Sequence, residues 1–264
     1  MILGASHVTL GCDNLDAAVV SLEDYGYRPD FIDRNVINNP SKQSILAADC
    51  KIHGIGLLRS QGGFPIELVS YQDKMPDGFG RYVGVFETAR APGCANDIDF
   101  NASFSGMPPG VVSTWATGII GNVGAPAFFV RGAQTNAGLR QVVLPVSDLS
   151  SARRLWCEVL GFGLVRETNE LAELRFVSPV AAWGLQLILV ASPPPKARSV
   201  LDAKGMACLS LLSSNVTHDV SRVIAGGAQL QTEIFAIPIN GRNMKVAILA
   251  DRDGAFVELL QVVR

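Results

Sequence analysis

The chain has 264 residues, of which 48% are hydrophobic, and its formal net charge at pH 7 is -2. This length suits one large domain or two of ordinary size, with enough apolar side chains for a buried core. The near-neutral charge argues against nucleic-acid binding, and no apolar run approaches the roughly 20 residues that cross a membrane.

The N-terminal residues and the cysteines both favour a cytoplasmic protein. The sequence MILGASHVTL lacks the basic region of a secretory signal and begins directly with strand-like alternation. The five cysteines are scattered and contain no CxxC pair, which is typical of reduced thiols.

A short pattern occurs three times along the chain: a strand, a helix that ends in glycine, and a further strand. In the first copy, His7 and Thr9 alternate with apolar residues, Asp13 or Asn14 can cap a helix, and Gly26 can end it. The second copy spans residues 140–162 and the third, looser copy spans 206–228. Such repetition predicts a fold that is assembled from similar units.

Strand-like stretches follow each predicted helix, so that each unit reads β-α-β-β-β. Residues 72–138 contain strand-like segments but no convincing helix, and we predict that they form a divergent unit between the first and second copies. The predicted strands after the helices are 28–34, 44–58 and 65–71 in the first unit, 164–167, 171–177 and 184–190 after the second copy, and 231–236, 245–250 and 255–263 after the third. In the divergent unit they are 82–88, 97–104, 110–117 and 126–131.

Two phrases connect these units to a known family. VSDLSSARRLWCEVLGF at residues 146–162 and LADRDGAFVELL at residues 249–260 resemble the vicinal oxygen chelate superfamily, which contains glyoxalase I, extradiol dioxygenases and bleomycin-binding proteins. The resemblance implies an α+β fold in which repeated βαβββ units form two cup-shaped mixed β-sheet domains. We expect an N-terminal glyoxalase-like domain at 1–135 and a C-terminal one at 139–264, where the second and third copies pair.

The resemblance also implies where the chemistry lies. Reactive members carry histidine, glutamine or glutamate on the first and last strands of a unit, where these residues hold a divalent metal ion. The corresponding positions here are His7 with Glu67, Gln141 with Gln186, and Cys208 with Glu258.

An extradiol dioxygenase is disfavoured on this basis. Its iron site requires two histidines and one carboxylate in the C-terminal domain. Only Glu258 matches, because Gln141 and Cys208 occupy the histidine positions. The resemblance excludes a zinc- or nickel-type isomerase site less strictly, with Gln141 and Glu258 as half of the site and Cys208 as a thiolate ligand. We favour the interpretation of Gln141, Gln186 and Cys208 as the polar floor of a substrate pocket without metal.

His7 and Glu67 form the best candidate pair in the chain for metal binding or for acid–base catalysis. The alternative is a structural histidine that bonds to a carboxylate. Further ligands would have to come from the divergent unit, where Glu87, Asp97 and Asp99 are the available carboxylates. His53 is expected to have a structural or surface role.

Other residues complete the expected pocket. Trp115 and Trp183 lie beside glycine-rich or flexible segments and are candidates for covering a planar ligand. No GxGxxG sequence precedes a helix, so a nucleotide cofactor is not expected, whereas a divalent metal remains open.

Two functions remain compatible with the sequence. The favoured one is a lyase or isomerase that acts on a small carbonyl or ring-bearing metabolite, with His7, Glu67 or Glu258 as the catalytic groups. The other is a metal-free protein that binds and sequesters a flat hydrophobic compound. Because relatives often dimerise and a cup edge leaves unpaired strands, we also expect a homodimer.

Overall fold

The computed structural model describes residues 1–71, 80–88, 116–123, 125–131, 137–177, 184–193 and 198–263. Within these ranges, a nine-stranded and a seven-stranded sheet contain the strands of four successive units. The predicted α+β class with two mixed sheets is confirmed. No helix of the described residues is long and apolar enough to cross a membrane.

The first unit has the predicted β-α-β-β-β order. Asn14 caps the helix, where its Oδ1 accepts a hydrogen bond from the Ala17 amide, and Gly26 follows the helix at a φ of +79°. The elements are β1 (Ile2–Gly11), α1 (Leu15–Glu23), β2 (Arg28–Ile37), a 3-10 helix (Pro40–Ile45), β3 (Ile52–Arg59) and β4 (Ile66–Tyr71).

The second unit contributes three described strands, β5 (Val83–Thr88), β6 (Ala116–Ile120) and β7 (Ala125–Arg131). The predicted strand at 97–104 and most of the one at 110–117 lie outside the described residues. The third unit consists of β8 (Gly138–Val146), α2 (Leu149–Arg154) with a π-helical continuation (Leu155–Val159), β9 (Gly163–Glu167), β10 (Leu171–Val177) and β11 (Gly184–Ala191).

The fourth unit contains the third sequence copy. Asn215 caps its helix by accepting a hydrogen bond from the His218 amide. Its elements are β12 (Gly205–Ser213), α3 (Val216–Ala225), β13 (Gln229–Leu230), β14 (Phe235–Ile239), β15 (Arg242–Ala250) and β16 (Phe256–Val263).

The units pair differently from the prediction. In the nine-stranded sheet, β1 of the first unit lies antiparallel to β12 of the fourth. In the seven-stranded sheet, β5 of the second unit lies antiparallel to β8 of the third. The prediction that the second and third copies pair in one C-terminal cup is therefore wrong, because they lie in different sheets. The division of the sequence into 1–135 and 139–264 stays a prediction.

The strand alternation separates a buried core from the cup of the nine-stranded sheet. On β1, Val8 and Leu10 point into the core, which α1 and strands of the other sheet also enter. The side chains that alternate with them, His7 and Thr9, line a cavity on the opposite face. β16 follows the same rule, since Leu259 is in the core while Glu258 lines the cavity.

Candidate functional site

The cup of the nine-stranded sheet encloses a cavity of about 410 Å³. Strands from the first and fourth units supply its floor, and β14, β15 and the 3-10 helix contribute to its walls. The polar floor is formed by His7, Thr9, Glu67, Cys208 and Glu258.

His7 lies between two carboxylates at this floor. Its Nε2 is 3.5 Å from Oε1 of Glu67 and 3.7 Å from Oε2 of Glu258. His7 is only 6% exposed, and its Nδ1 is 3.0 Å from the Ser6 hydroxyl. Within the described part of the chain, Nε2 is buried without a hydrogen-bond partner. Nε2 is therefore placed to interact with a ligand atom in the cup.

The two carboxylates occupy equivalent positions in their units. Thr9 is in register with Glu67, and its hydroxyl donates a hydrogen bond of 3.0 Å to Oε2 of that glutamate. Ser210 is in register with Glu258 and donates a corresponding bond of 2.5 Å. Two residues before each hydroxyl, the first unit has His7 and the fourth has Cys208. The floor is thus a pseudo-symmetric pair of half-sites.

The surroundings shift the pKa values of the two carboxyl groups in opposite directions. Burial alone would raise the pKa of Glu67, but the attraction of His7, Lys42 and the Thr9 hydroxyl outweighs it, so that the pKa is lowered. Burial and the repulsion from Glu67 raise the pKa of Glu258. The first carboxyl therefore favours its ionised form, and the second more readily keeps a proton.

His7 is the positive member of this group. Burial alone would lower its pKa, but the negative charges of Glu67 and Glu258 outweigh burial and raise it. A distance of 3.5 Å is long for a hydrogen bond, so the interaction with Glu67 is mainly that of an ion pair. The arrangement favours a protonated imidazole that faces the cavity.

Lys42 and His53 also line the cavity. Lys42 enters from the 3-10 helix, which Asn39 caps through a hydrogen bond from the Ser41 amide. His53 on β3 is 1% exposed and stacks on Tyr71 with ring centroids 5.5 Å apart. Burial, and then the charge of Lys42, lower the pKa of His53 to about 4. A surface role for His53 is therefore wrong, and a structural role stays a prediction.

Lys42 did not emerge as a candidate from the sequence. It lies just before the predicted strand at 44–58 and outside the repeated phrases. No local pattern indicates that its side chain enters the cup. The Asn39-Pro40 pair, which is typical of a helix start, was the available sequence feature that marks this segment.

The comparison with known proteins agrees with this architecture. Residues 138–259 match the Glyoxalase/Bleomycin resistance protein/Dioxygenase superfamily. The matched segment covers the third unit and most of the fourth.

Solved structures of similar fold extend the likeness over nearly the whole chain. Glyoxalase I from Zea mays superposes with a TM-score of 0.63 at 17% identity, covering 98% of this chain and 92% of that one. A putative dioxygenase from Bacillus subtilis subsp. subtilis str. 168 gives a TM-score of 0.60 at 12% identity, covering 98% of this chain and 85% of that one. At these identities the likeness shows the fold alone. No curated protein matches the sequence significantly.

Other predicted site residues lie in the second sheet. The Gln141 amide donates a bond of 2.7 Å to Gln186, whose own amide donates to Glu173. Gln141 and Glu258 were expected in one cup, which is wrong, because β8 and β16 belong to different sheets. A role of the two glutamines in substrate binding stays a prediction.

The expected partners of His7 also differ. Glu87 lies on β5 in the second sheet, where it forms an ion pair of 2.7 Å with Arg140. Instead, Glu258 and Cys208 of the fourth unit line the cavity together with His7 and Glu67. Asp97, Asp99, Trp115 and Trp183 lie outside the described residues.

The donor types at the floor suit a divalent ion, because imidazole, carboxylate and thiolate all bind zinc. Their arrangement is incomplete, however, since no three His, Cys, Asp or Glu side chains in the described ranges are arranged so that they could hold a metal ion. Burial, and then the charges of Glu258 and Glu67, raise the pKa of the Cys208 thiol and so disfavour the thiolate. Metal binding by His7 and Glu67 stays a prediction.

Proposed function

We propose that the protein is a lyase or isomerase that transfers a proton at a carbon next to a carbonyl group, in the cup of the nine-stranded sheet. The observation that supports this is the placement of His7 between Glu67 and Glu258, with the pKa values of the two carboxyl groups shifted in opposite directions. Such divergence separates the roles of two otherwise identical groups.

The roles follow from the charges. Glu67 stays ionised and favours the protonated form of His7, whose Nε2–H donates to the carbonyl oxygen of the substrate. Glu258, with its raised pKa, removes the proton from the adjacent carbon, because a base works best when its pKa approaches the working pH. The electron pair of the broken C–H bond moves toward the carbonyl and generates an enol or enolate.

The same intermediate serves both reaction classes. With an α-hydroxy carbonyl compound, Glu258 returns the proton to the former carbonyl carbon while the α-hydroxyl loses its own proton and becomes the new carbonyl, which gives an isomer. Departure of a group on the β-carbon gives a lyase reaction. The cavity volume of about 410 Å³ suits a small metabolite.

A second candidate function is the sequestration of a flat hydrophobic compound. It is favoured by the apolar side chains among the cavity lining, which include Phe31, Leu57, Leu212, Ile237 and Met244. Under this alternative, ligand binding would be insensitive to removal of the charge on Glu258. The cytoplasmic location and the homodimer also stay predictions.

Proton exchange tests the proposed enzyme. The protein is incubated in D2O with a panel of small aldehydes and ketones, and deuterium incorporation next to the carbonyl is followed by NMR. We expect Glu258→Gln to slow the exchange by roughly 10²- to 10⁴-fold, the usual contribution of a general base. The matched control is Glu233→Gln, which changes an exposed glutamate in the same unit.

The control variant should exchange as fast as the wild-type protein. Absence of exchange with every carbonyl compound, together with tight binding of flat apolar compounds by both variants, would contradict the enzyme and favour sequestration.

A further inference from the structure

Lys42 is a buried amine that the proposed proton transfer does not use. It is 8% exposed, although lysine is rarely buried without an ionic partner. Its side chain lines the same cavity as His7, Glu67 and Glu258. The 3-10 helix that carries it is a connection between β2 and β3, so the amine reaches the cup from the wall and not from the floor.

The immediate surroundings leave the amine available. Among the described residues, Lys42 makes no side-chain hydrogen bond or ion pair, and its Nζ lies 5.6 Å from the centroid of the Phe235 ring. Burial lowers the pKa of Lys42, and this effect exceeds the opposing attraction of Glu258 and Glu67. A desolvated lysine in an apolar pocket is an effective nucleophile toward carbonyl compounds.

We propose that Lys42 forms an imine with the carbonyl carbon of an aldehyde or ketone bound in the cup. The inference rests on the proposed function, since it names the substrate class of the same site. It also adds a covalent step that precedes proton removal.

The step balances without a co-reactant. The lone pair of Nζ attacks the carbonyl carbon, a C–N bond forms, and proton transfer gives a carbinolamine. Loss of its hydroxyl as water, with a proton from His7, gives the protonated imine. This cation accepts the electron pair that is released when Glu258 removes the neighbouring proton. Water later hydrolyses the imine and regenerates the amine.

The imine would supply a positive charge beside the carbon that loses its proton. A protonated imine acidifies the adjacent C–H bond, which is the task that a carbonyl-polarising cation performs.

Reductive trapping tests the inference. The intact protein is incubated with benzaldehyde or butan-2-one and sodium cyanoborohydride, and the labelled lysine is located by peptide mass spectrometry. Lys51, which is exposed, is the internal control in the same sample. We expect Lys42 to be labelled roughly tenfold faster than Lys51, as for a nucleophile activated by its pocket. Labelling of Lys42 no faster than that of Lys51 would overturn the inference, and this comparison needs no variant.

Two variants separate this inference from the proposed function. Glu258→Gln should lose proton exchange but keep the trapping of Lys42. Lys42→Arg should lose both, provided that its thermal unfolding transition is retained, and Lys42→Met serves as a second variant. Full proton exchange in folded Lys42→Arg would contradict the imine and leave the proposed function standing. Trapping at Lys42 without any proton exchange in the wild-type protein would contradict the proposed function alone.

Discussion

At the scale of single residues, the two halves of the floor differ by one substitution with a large electrostatic effect. Glu67 and Glu258 occupy equivalent positions and accept equivalent hydroxyl bonds. Beside them, the first unit has a histidine and the fourth has Cys208, whose raised pKa favours a neutral thiol. The positive charge of His7 lies nearer to Glu67. An almost symmetric site therefore contains two unlike carboxyl groups.

A pH-dependent stability is predicted for Asp251, in the turn between β15 and β16. Burial raises the pKa of Asp251 to about 6, although the amides of Asp253 and Ala255 donate to its Oδ1. A raised folded-state pKa means that stability is complete below the ordinary aspartate pKa and is lost as the pH rises toward 6. Asp251→Asn should therefore increase the free energy of unfolding by about 1–3 kcal/mol at pH 7.

Urea unfolding at pH 7 and at pH 4 checks this expectation. At pH 4 the difference between Asp251→Asn and the wild-type protein should nearly disappear. Asp49→Asn changes an exposed aspartate and is the control. A less stable Asp251→Asn protein at pH 7 would show that the charged carboxylate stabilises the turn.

At the scale of elements, one side chain joins the two sheets. Tyr27, between α1 and β2, is fully buried. Its hydroxyl donates a bond of 2.7 Å to the carbonyl of Phe64, and it accepts a bond of 2.9 Å from the amide of Leu139 on β8. The first unit is thereby connected to the sheet that it does not enter.

Removal of this hydroxyl should weaken the protein. Tyr27→Phe leaves a buried carbonyl and a buried amide without this partner, which costs about 1–3 kcal/mol of unfolding free energy. The control is Tyr25→Phe, whose ring packs near Phe86 and Phe129 and whose hydroxyl makes no hydrogen bond to a described residue. The control should change stability by less than about 0.5 kcal/mol. Equal losses in the two variants, measured by chemical denaturation, would contradict the bridging role.

Local patterns predicted the order of elements well where the alternation was strong. The order in the first unit, a helix start at Asp13 or Asn14 and the cap at Asn215 follow from short-range spacing, and the structure selects Asn14 for the first helix. The predicted strand at 44–58 begins only at Ile52, because a 3-10 helix occupies the segment after Pro40. Lys42 lies on the same 3-10 helix. It was not predicted because a side chain in a connection between strands shows no periodic pattern.

At the scale of the whole molecule, the site depends on the meeting of the two ends of the sequence. Each unit offers a first strand with a free edge, and these strands resemble one another, so the sequence alone does not specify which pair will form. The choice of β1 with β12 brings His7 within 3.7 Å of Glu258, a contact between the first and last units. The sequence singled out His7, Glu67, Cys208 and Glu258 as candidates, but it indicated neither Lys42 nor the pairing of the first unit with the fourth.

Titration of the histidines tests this account most directly and requires no substrate. The chain has three histidines, so their imidazole nitrogens can be resolved by ¹⁵N NMR and assigned with His7→Gln and His53→Gln. His7 should titrate above the ordinary histidine pKa, and His53 should titrate at a pKa of about 4. Glu258→Gln should lower the pKa of His7, because a negative charge from the last unit is removed. A His7 pKa below the ordinary value, or one that is insensitive to Glu258→Gln, would contradict the shared site.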